Sequence, residues 1–138
     1  MTISVLDSGA LIALERDDRD MWALVKPQNG EAVNFQVPAG VLVEVCRDRS
    51  SQALLNVALK RCRTVPLSEE IAQLAGLLLA ISDASGAVDA TVMATAVVAT
   101  NFEDVEIYTS DSGDISDLKA AAELIPGLVK NDIAIRAT

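Results

Sequence analysis

Five short apolar runs are strung along this chain, and helical patterns fill nearly all the sequence between them. Ile3 to Leu6 is a compact run with two β-branched residues that stops at Asp7-Ser8-Gly9. Ala32 to Val37 is the second, closed by Pro38, and Thr64 to Leu67 is the third. Val105 to Thr109 and Ile133 to Ile135 complete the set. Short strands separated by helical stretches need crossover connections, and these favour parallel pairing with helices on both faces. The expected fold class is therefore α/β, with a mostly parallel sheet covered on each side.

The intervening segments carry helix signals. Ala10 to Glu15 bears Leu11, Ile12 and Leu14 on a short helix, followed by a charged turn from Arg16 to Asp20. Met21, Trp22, Leu24 and Val25 indicate another helical turn or two, stopped by Pro27 and Gly30. Val41, Leu42, Val45 and Cys46 share one helix face, which places Glu44 on a helix; Leu54, Leu55, Ala58 and Leu59 support another from Ser51 to Cys62. Ser68-Glu69-Glu70 offers a hydroxyl cap and two first-turn charges to a helix running to Ser82. After a turn at Asp83 to Gly86, Ala87 to Thr100 is an Ala/Val-rich helix. Ser112 can cap the last one, which runs through Leu118 to Leu124 and ends at Pro126 and Gly127. No repeat or composition shift marks a linker, so residues 1–138 are expected to form one domain.

Charge and residue usage narrow the chemistry. Eleven Lys plus Arg stand against 20 Asp plus Glu, a formal charge of -9. A domain that holds nucleic acid by bulk electrostatics usually has a basic face. A nucleic-acid enzyme whose acidic site is neutralised by metal cations is still compatible. Histidine is absent, which excludes Ser-His-Asp and Cys-His triads, His-ligated zinc and paired-histidine ribonuclease chemistry. Cys46 and Cys62 fit neither a disulfide framework nor a four-thiolate zinc site, and are expected as thiols in or near the core. The N-terminus lacks a signal peptide's basic start. The longest apolar stretch, Leu74 to Ile81, is far short of the ~20 residues a membrane helix needs. The expectation is a soluble, cytoplasmic protein with no membrane role.

Position selects the informative acids. Asp7 and Asp111 each follow a strand and precede a helix, at the carboxyl end of the sheet where ligands bind. Glu44 lies within Val41-Leu42-Val43-Glu44-Val45, where an unpartnered carboxylate would be costly if buried. Asp89 interrupts Ala87-Val88-Asp89-Ala90-Thr91-Val92. Each has a plainer explanation: Asp7, Asp89 and Asp111 could cap helices, and Glu44 could reach solvent. Capping does not account for an acid in mid-helix, nor for caps gathered at one end of a sheet. Carboxylates converging within about 6 Å must shift their pKa values or bind a cation. An all-oxygen ligand set suits Mg²⁺ or Mn²⁺, and the chemistry that follows is phosphodiester hydrolysis without histidine.

Val5-Leu6-Asp7-Ser8-Gly9-Ala10-Leu11, the isolated Glu44, Asp89-Ala90 followed by Ala94 and Ala96, and Thr109-Ser110-Asp111 together resemble the PIN-domain family. Within it, the chain looks like the VapC toxins of bacterial toxin–antitoxin pairs, and the resemblance runs in order along essentially the whole chain. It implies a three-layer α/β/α fold with a central, mainly parallel five-stranded sheet. It also implies a Mg²⁺- or Mn²⁺-dependent endoribonuclease acting on structured RNA such as tRNA or rRNA, a cognate VapB-type antitoxin and a homodimer. The family's catalytic, metal-binding acids match Asp7, Glu44, Asp89 and Asp111. A further acid often follows the fourth by two or three positions, which makes Asp114 either another metal ligand or an ordinary first-turn acid. Thr109 and Ser8 are hydroxyls beside the site, able to orient water or to satisfy backbone groups.

Two other groups bear on partners. Arg47, Arg49, Lys60, Arg61 and Arg63 crowd residues 47–63 with only Asp48 opposing. Such a patch, with Arg47, Arg61 and Arg63 as its candidates, suits RNA phosphates or an acidic antitoxin segment, although a solvated helix face explains it as well. Leu11, Met21, Trp22, Leu24 and Val25 form an apolar group near which the family's antitoxin tail packs. A core role competes, and Trp22 is the best anchor to test. The rival function is a catalytically silent PIN-fold interaction module. A haloacid-dehalogenase-like enzyme is disfavoured because Gly9 stands where its second Asp belongs.

Overall fold

A computed structural model of the chain describes residues 2–25, 34–84 and 86–138. The apolar runs form β1 (Ile3–Leu6), β2 (Asn34–Pro38), β3 (Arg63–Val65), β4 (Val105–Thr109) and β5 (Ile133–Ala137). They pair in the order β3-β2-β1-β4-β5, every pairing parallel. Ile3 lies opposite Asn34 on one side and Val105 on the other, and all four residues of β1 are buried. That is the burial a central strand needs when helices cover both faces. The predicted first residues of the second strand, Ala32 and Val33, and the stops at Pro27 and Gly30 lie outside the described residues.

The helices are α1 (Ser8–Glu15), α2 (Arg19–Val25), α3 (Ala39–Val45), α4 (Ala53–Lys60), α5 (Glu69–Ile81), α6 (Ala87–Ala99) and α7 (Ser112–Glu123). On one side α1 packs with α2 and α4; on the other α5, α6 and α7 pack together, and α3 touches both α1 and α6. Helix α6 lies against β1, β2 and β4, with Ala90, Val92, Met93, Ala94, Ala96 and Val97 buried. Its small side chains let a helix flanked by others sit close to the sheet. Leu6, Leu11, Leu14, Met93, Ile107, Ile115 and Leu118 are fully buried, and each such side chain contributes about 1.5–3 kcal/mol.

Several boundaries differ from the sequence pattern for local reasons. Within the expected charged turn, Arg19 and Asp20 are helical. Asp17 takes a left-handed conformation (φ 61°), which Asp tolerates. Its N–H donates to Leu14 O and that of Asp18 to Ala13 O, closing α1, while Asp18 Oδ1 accepts from Met21 N–H to open α2. Asp111, not Ser112, caps α7. A 3₁₀ turn at Arg49–Ser51 precedes α4. β3 stops at Val65, before Pro66, which has no N–H for a ladder bond. Only one thiol is near the core: Cys46 is exposed, whereas Cys62 is half-buried, and burial pushes its thiol up to about 11. Among the described residues no helix is long and apolar enough to cross a membrane.

Candidate metal centre

The strand order reverses at β1: β2 and β3 extend to one side, β4 and β5 to the other. The crevice beyond the carboxyl ends of β1 and β4 is thus the topological switch point. Two turns leave the sheet there, Asp7-Ser8-Gly9 after β1 and Ser110-Asp111 after β4. They touch because one carries a glycine. A Cβ on Gly9 would lie 2.6 Å from Ser110 Cβ and 2.8 Å from its backbone nitrogen.

Asp7 is only 2% exposed and both its oxygens are engaged. Oδ1 accepts from Ser8 N–H at 2.7 Å, and Oδ2 accepts from the buried Thr109 hydroxyl at 2.7 Å. The same hydroxyl oxygen accepts from Asp111 N–H at 2.9 Å, so Thr109 ties the two turns together. Asp111 Oδ1 in turn accepts from Asp114 N–H at 3.3 Å and caps α7. Asp7 and Asp111 therefore do cap helices, as the plainer explanation had it, and they do so at the switch point.

Helix α6 brings Asp89 in its first turn. Gly86 makes room: a Cβ there would stand 2.9 Å from Asp89 Oδ2. One oxygen from each of Asp89, Asp111 and Asp114 lies within 4.8 Å of the others. The Asp89 carboxyl is pushed up to about 7, first by burial and then by the negative charges of Asp7, Asp111, Asp114 and Glu44. Glu44 approaches from α3, which meets α6 closely because Gly40 leaves 3.1 Å between its Cβ position and Thr91 Oγ1. Gly40 and Glu44 are one turn apart and share a helix face. The apolar neighbours of Glu44 do not bury it. Val41 and Val45 are the buried residues of the short α3, while Glu44 is exposed and Val43 is 77% exposed. Among the described residues the group able to share an ion is Asp89, Asp111 and Asp114, and Asp7 and Glu44 act on Asp89 from outside it.

Arg47, Arg61 and Arg63 of the basic run line three different grooves. Arg47 Nη1 donates to Val43 O at 3.2 Å and to Cys46 O at 2.8 Å, at the end of α3. Arg61 lies 5.5 Å from the Trp22 ring centroid, while Arg63 opens β3 and lines a separate groove with Gln36 and Phe102. Trp22 is half-buried, and its Nε1–H donates to Leu14 O at 2.9 Å. With Leu54, Val57 and Arg61 it lines a groove of about 670 Å³ between α2 and α4. Leu11, Met21 and Val25 are buried in the core, and Leu24 is exposed.

One structural residue had no local signal. Gln52, 6% exposed, donates to Glu15 Oε1 and Val45 O and accepts from Arg47 N–H, pinning α1, α3 and α4 together. The roles of Gly9 and Gly86 also went unread, although each stands two or three residues from an acid of the site.

No protein-family model and no curated protein sequence matches the chain. Solved structures do. The chain is similar to one in the crystal structure of VapBC2 from Rickettsia felis bound to a DNA fragment from their promoter, with TM-score 0.66, 14% identity, and coverage of 98% of this chain and 99% of that one. It is similar to one in DNA-bound VapBC from Salmonella typhimurium, with TM-score 0.66, 13% identity and coverage of 99% and 98%. A toxin–antitoxin complex from Klebsiella pneumoniae gives TM-score 0.63 and 19% identity over 82% of this chain and 90% of that one. At these identities the likeness is one of fold. The architecture is a PIN-like α/β/α fold shared with chains of these complexes.

Proposed function

We propose that this protein is a Mg²⁺- or Mn²⁺-dependent endoribonuclease and the toxin half of a VapBC-type toxin–antitoxin pair. The observation that carries the proposal is the gathering of Asp89, Asp111 and Asp114 within 4.8 Å at the switch point, where Asp89 is pushed up to about 7. The donors fit the ion: all are carboxylate oxygens, the hard ligands that Mg²⁺ and Mn²⁺ prefer. Oxygens on one Mg²⁺ are about 3–4 Å apart, so small side-chain rotations suffice. When bound, such an ion stabilises charge on a phosphoryl oxygen and lowers the pKa of a water.

The chain's own residues divide the remaining work. Asp89, Asp111 and Asp114 would hold the ion. Asp7 keeps a spare lone pair on each oxygen for a ligand or water, and Glu44 adds negative potential from the open side. The Thr109 hydroxyl fixes Asp7 relative to Asp111, so the acids face the crevice without further ordering. A single PIN domain over residues 1–138, a homodimeric state and a cytoplasmic location belong to the same proposal. So does a VapB-type antitoxin whose apolar segment occupies the groove beside Trp22, an aromatic anchor with Arg61 at its edge.

The test is cleavage of tRNA and rRNA with Mg²⁺ or Mn²⁺, with and without chelator, by the wild type and by Asp89→Asn and Asp111→Asn. Metal-dependent cleavage lost in both variants is expected. Failure to cleave any of these RNAs would favour the silent interaction module.

A further inference from the structure

Glu44 belongs to two places at once. Its charge acts on Asp89, and its side chain also lines a groove of about 410 Å³ with Ile12, Glu15, Arg16, Arg47 and Gln52. In a chain with 20 acids and 11 cations, an arginine beside carboxylates is expected to be paired. Among the described residues, the ion pairs are Lys119–Glu123 and Arg136–Glu106, and neither Arg16 nor Arg47 makes one. Glu15, in the same groove, is occupied by the Gln52 amide. Arg16 closes α1 through its backbone N–H alone, and its side chain is exposed. Arg47 is anchored through Nη1 on the carbonyls of Val43 and Cys46 at the end of α3, which leaves its other N–H donors for a ligand.

Among the described residues, then, two guanidinium groups without an ion pair share a groove with Glu44, whose charge reaches Asp89. RNA approaching that site is repelled by the acids, and a metal ion there neutralises only the phosphate it touches. Flanking phosphates need donors from the protein, and guanidinium matches phosphate with paired N–H bonds. We propose that Arg16 and Arg47 grip the RNA backbone on the α1–α3 side of the acid cluster, each taking a phosphate next to the one that is cut. This rests on the ribonuclease function proposed above. The anchoring of Arg47 lowers the side-chain entropy lost on binding.

The experiment measures binding of a short fluorescein-labelled 2′-O-methyl RNA, by anisotropy across a salt series, to wild type, Arg16→Gln, Arg47→Gln and Lys130→Gln. Lys130 adjoins Thr100 at the far end of α6 and serves as the control. Each arginine variant is expected to reduce the slope of log K against log salt by about 0.7, the share of one phosphate contact on a single strand. Both should raise KM for cleavage of unmodified RNA while leaving kcat near wild type, and Lys130→Gln should change neither. Among the described residues the exposed Arg16 side chain has no hydrogen bond or ion pair, so its variant is expected to fold like wild type. Wild-type cleavage with unchanged slopes in both arginine variants would overturn this inference alone. So would an equal loss in Lys130→Gln, which would indicate bulk charge, or loss of antitoxin binding with RNA binding intact. A wild type that neither cleaves nor binds RNA would overturn the ribonuclease function and this inference together.

Discussion

Replacing Asp89 by Asn preserves the side chain's size and removes a charge that the surrounding acids oppose. The displacement of its carboxyl from 3.8 to about 7 corresponds, at the limit, to about 4 kcal/mol. The site is open to water, and screening reduces this to about 1–2 kcal/mol. A carboxyl raised by folding favours the native state at low pH, and that stability is lost as the pH climbs from its ordinary value through about 7. Without metal, Asp89→Asn should therefore be more stable than wild type at pH 8 by that amount, about 3–8 °C in melting temperature. The gap should narrow as the pH is lowered toward 4. Excess Mn²⁺ should reverse the order, since an ion at a hundredfold its Kd adds about 2.7 kcal/mol to the protein that binds it. Scanning calorimetry in chelator and in Mn²⁺ at both pH values supplies the comparison. A variant less stable than wild type at pH 8 in chelator, or an offset that ignores pH, would refute the reasoning.

Three further outcomes follow from the packing around the site. Thr109→Val strips Asp7 Oδ2 of its hydroxyl donor and Asp111 N–H of its acceptor; urea unfolding should show a loss of about 2–4 kcal/mol, largely restored in Thr109→Ser. Gly9→Ala drives a methyl group into Ser110, at a cost of about 1–3 kcal/mol, and calorimetric titration should show weaker Mn²⁺ binding as Asp111 is displaced. Gln52→Ala leaves Val45 O and Arg47 N–H without partners, and should lower stability by about 1–3 kcal/mol with Mn²⁺ affinity unchanged.

What the sequence disclosed was local, and what it withheld depended on neighbours from elsewhere in the chain. Ile3 to Leu6 reads as a strand because its β-branched, apolar content is a property of consecutive residues. That β4 rather than β3 lies beside β1 is set by the crossover connections, and no single run records it. Asp7 and Asp111 had two explanations; the structure shows the capping one, which does not compete with the other, since a cap at the switch point is also a carboxylate at its mouth. Glu44 stands among apolar neighbours in sequence, but only Val41 and Val45 of α3 are buried and Glu44 itself is exposed. The cations of 47–63 are neighbours in sequence, but α4 and the start of β3 distribute Arg47, Arg61 and Arg63 among different grooves. Gln52 could not be told from any surface glutamine, because its partners come from three separate segments.

Asp89, Asp111 and Asp114 are expected to hold a divalent ion jointly. Anomalous diffraction from crystals grown with Mn²⁺ addresses this directly. A manganese peak among these three carboxylates, absent from crystals of Asp111→Asn, is the predicted result. A peak elsewhere, or none at this crevice while the wild type still cleaves RNA, would contradict it.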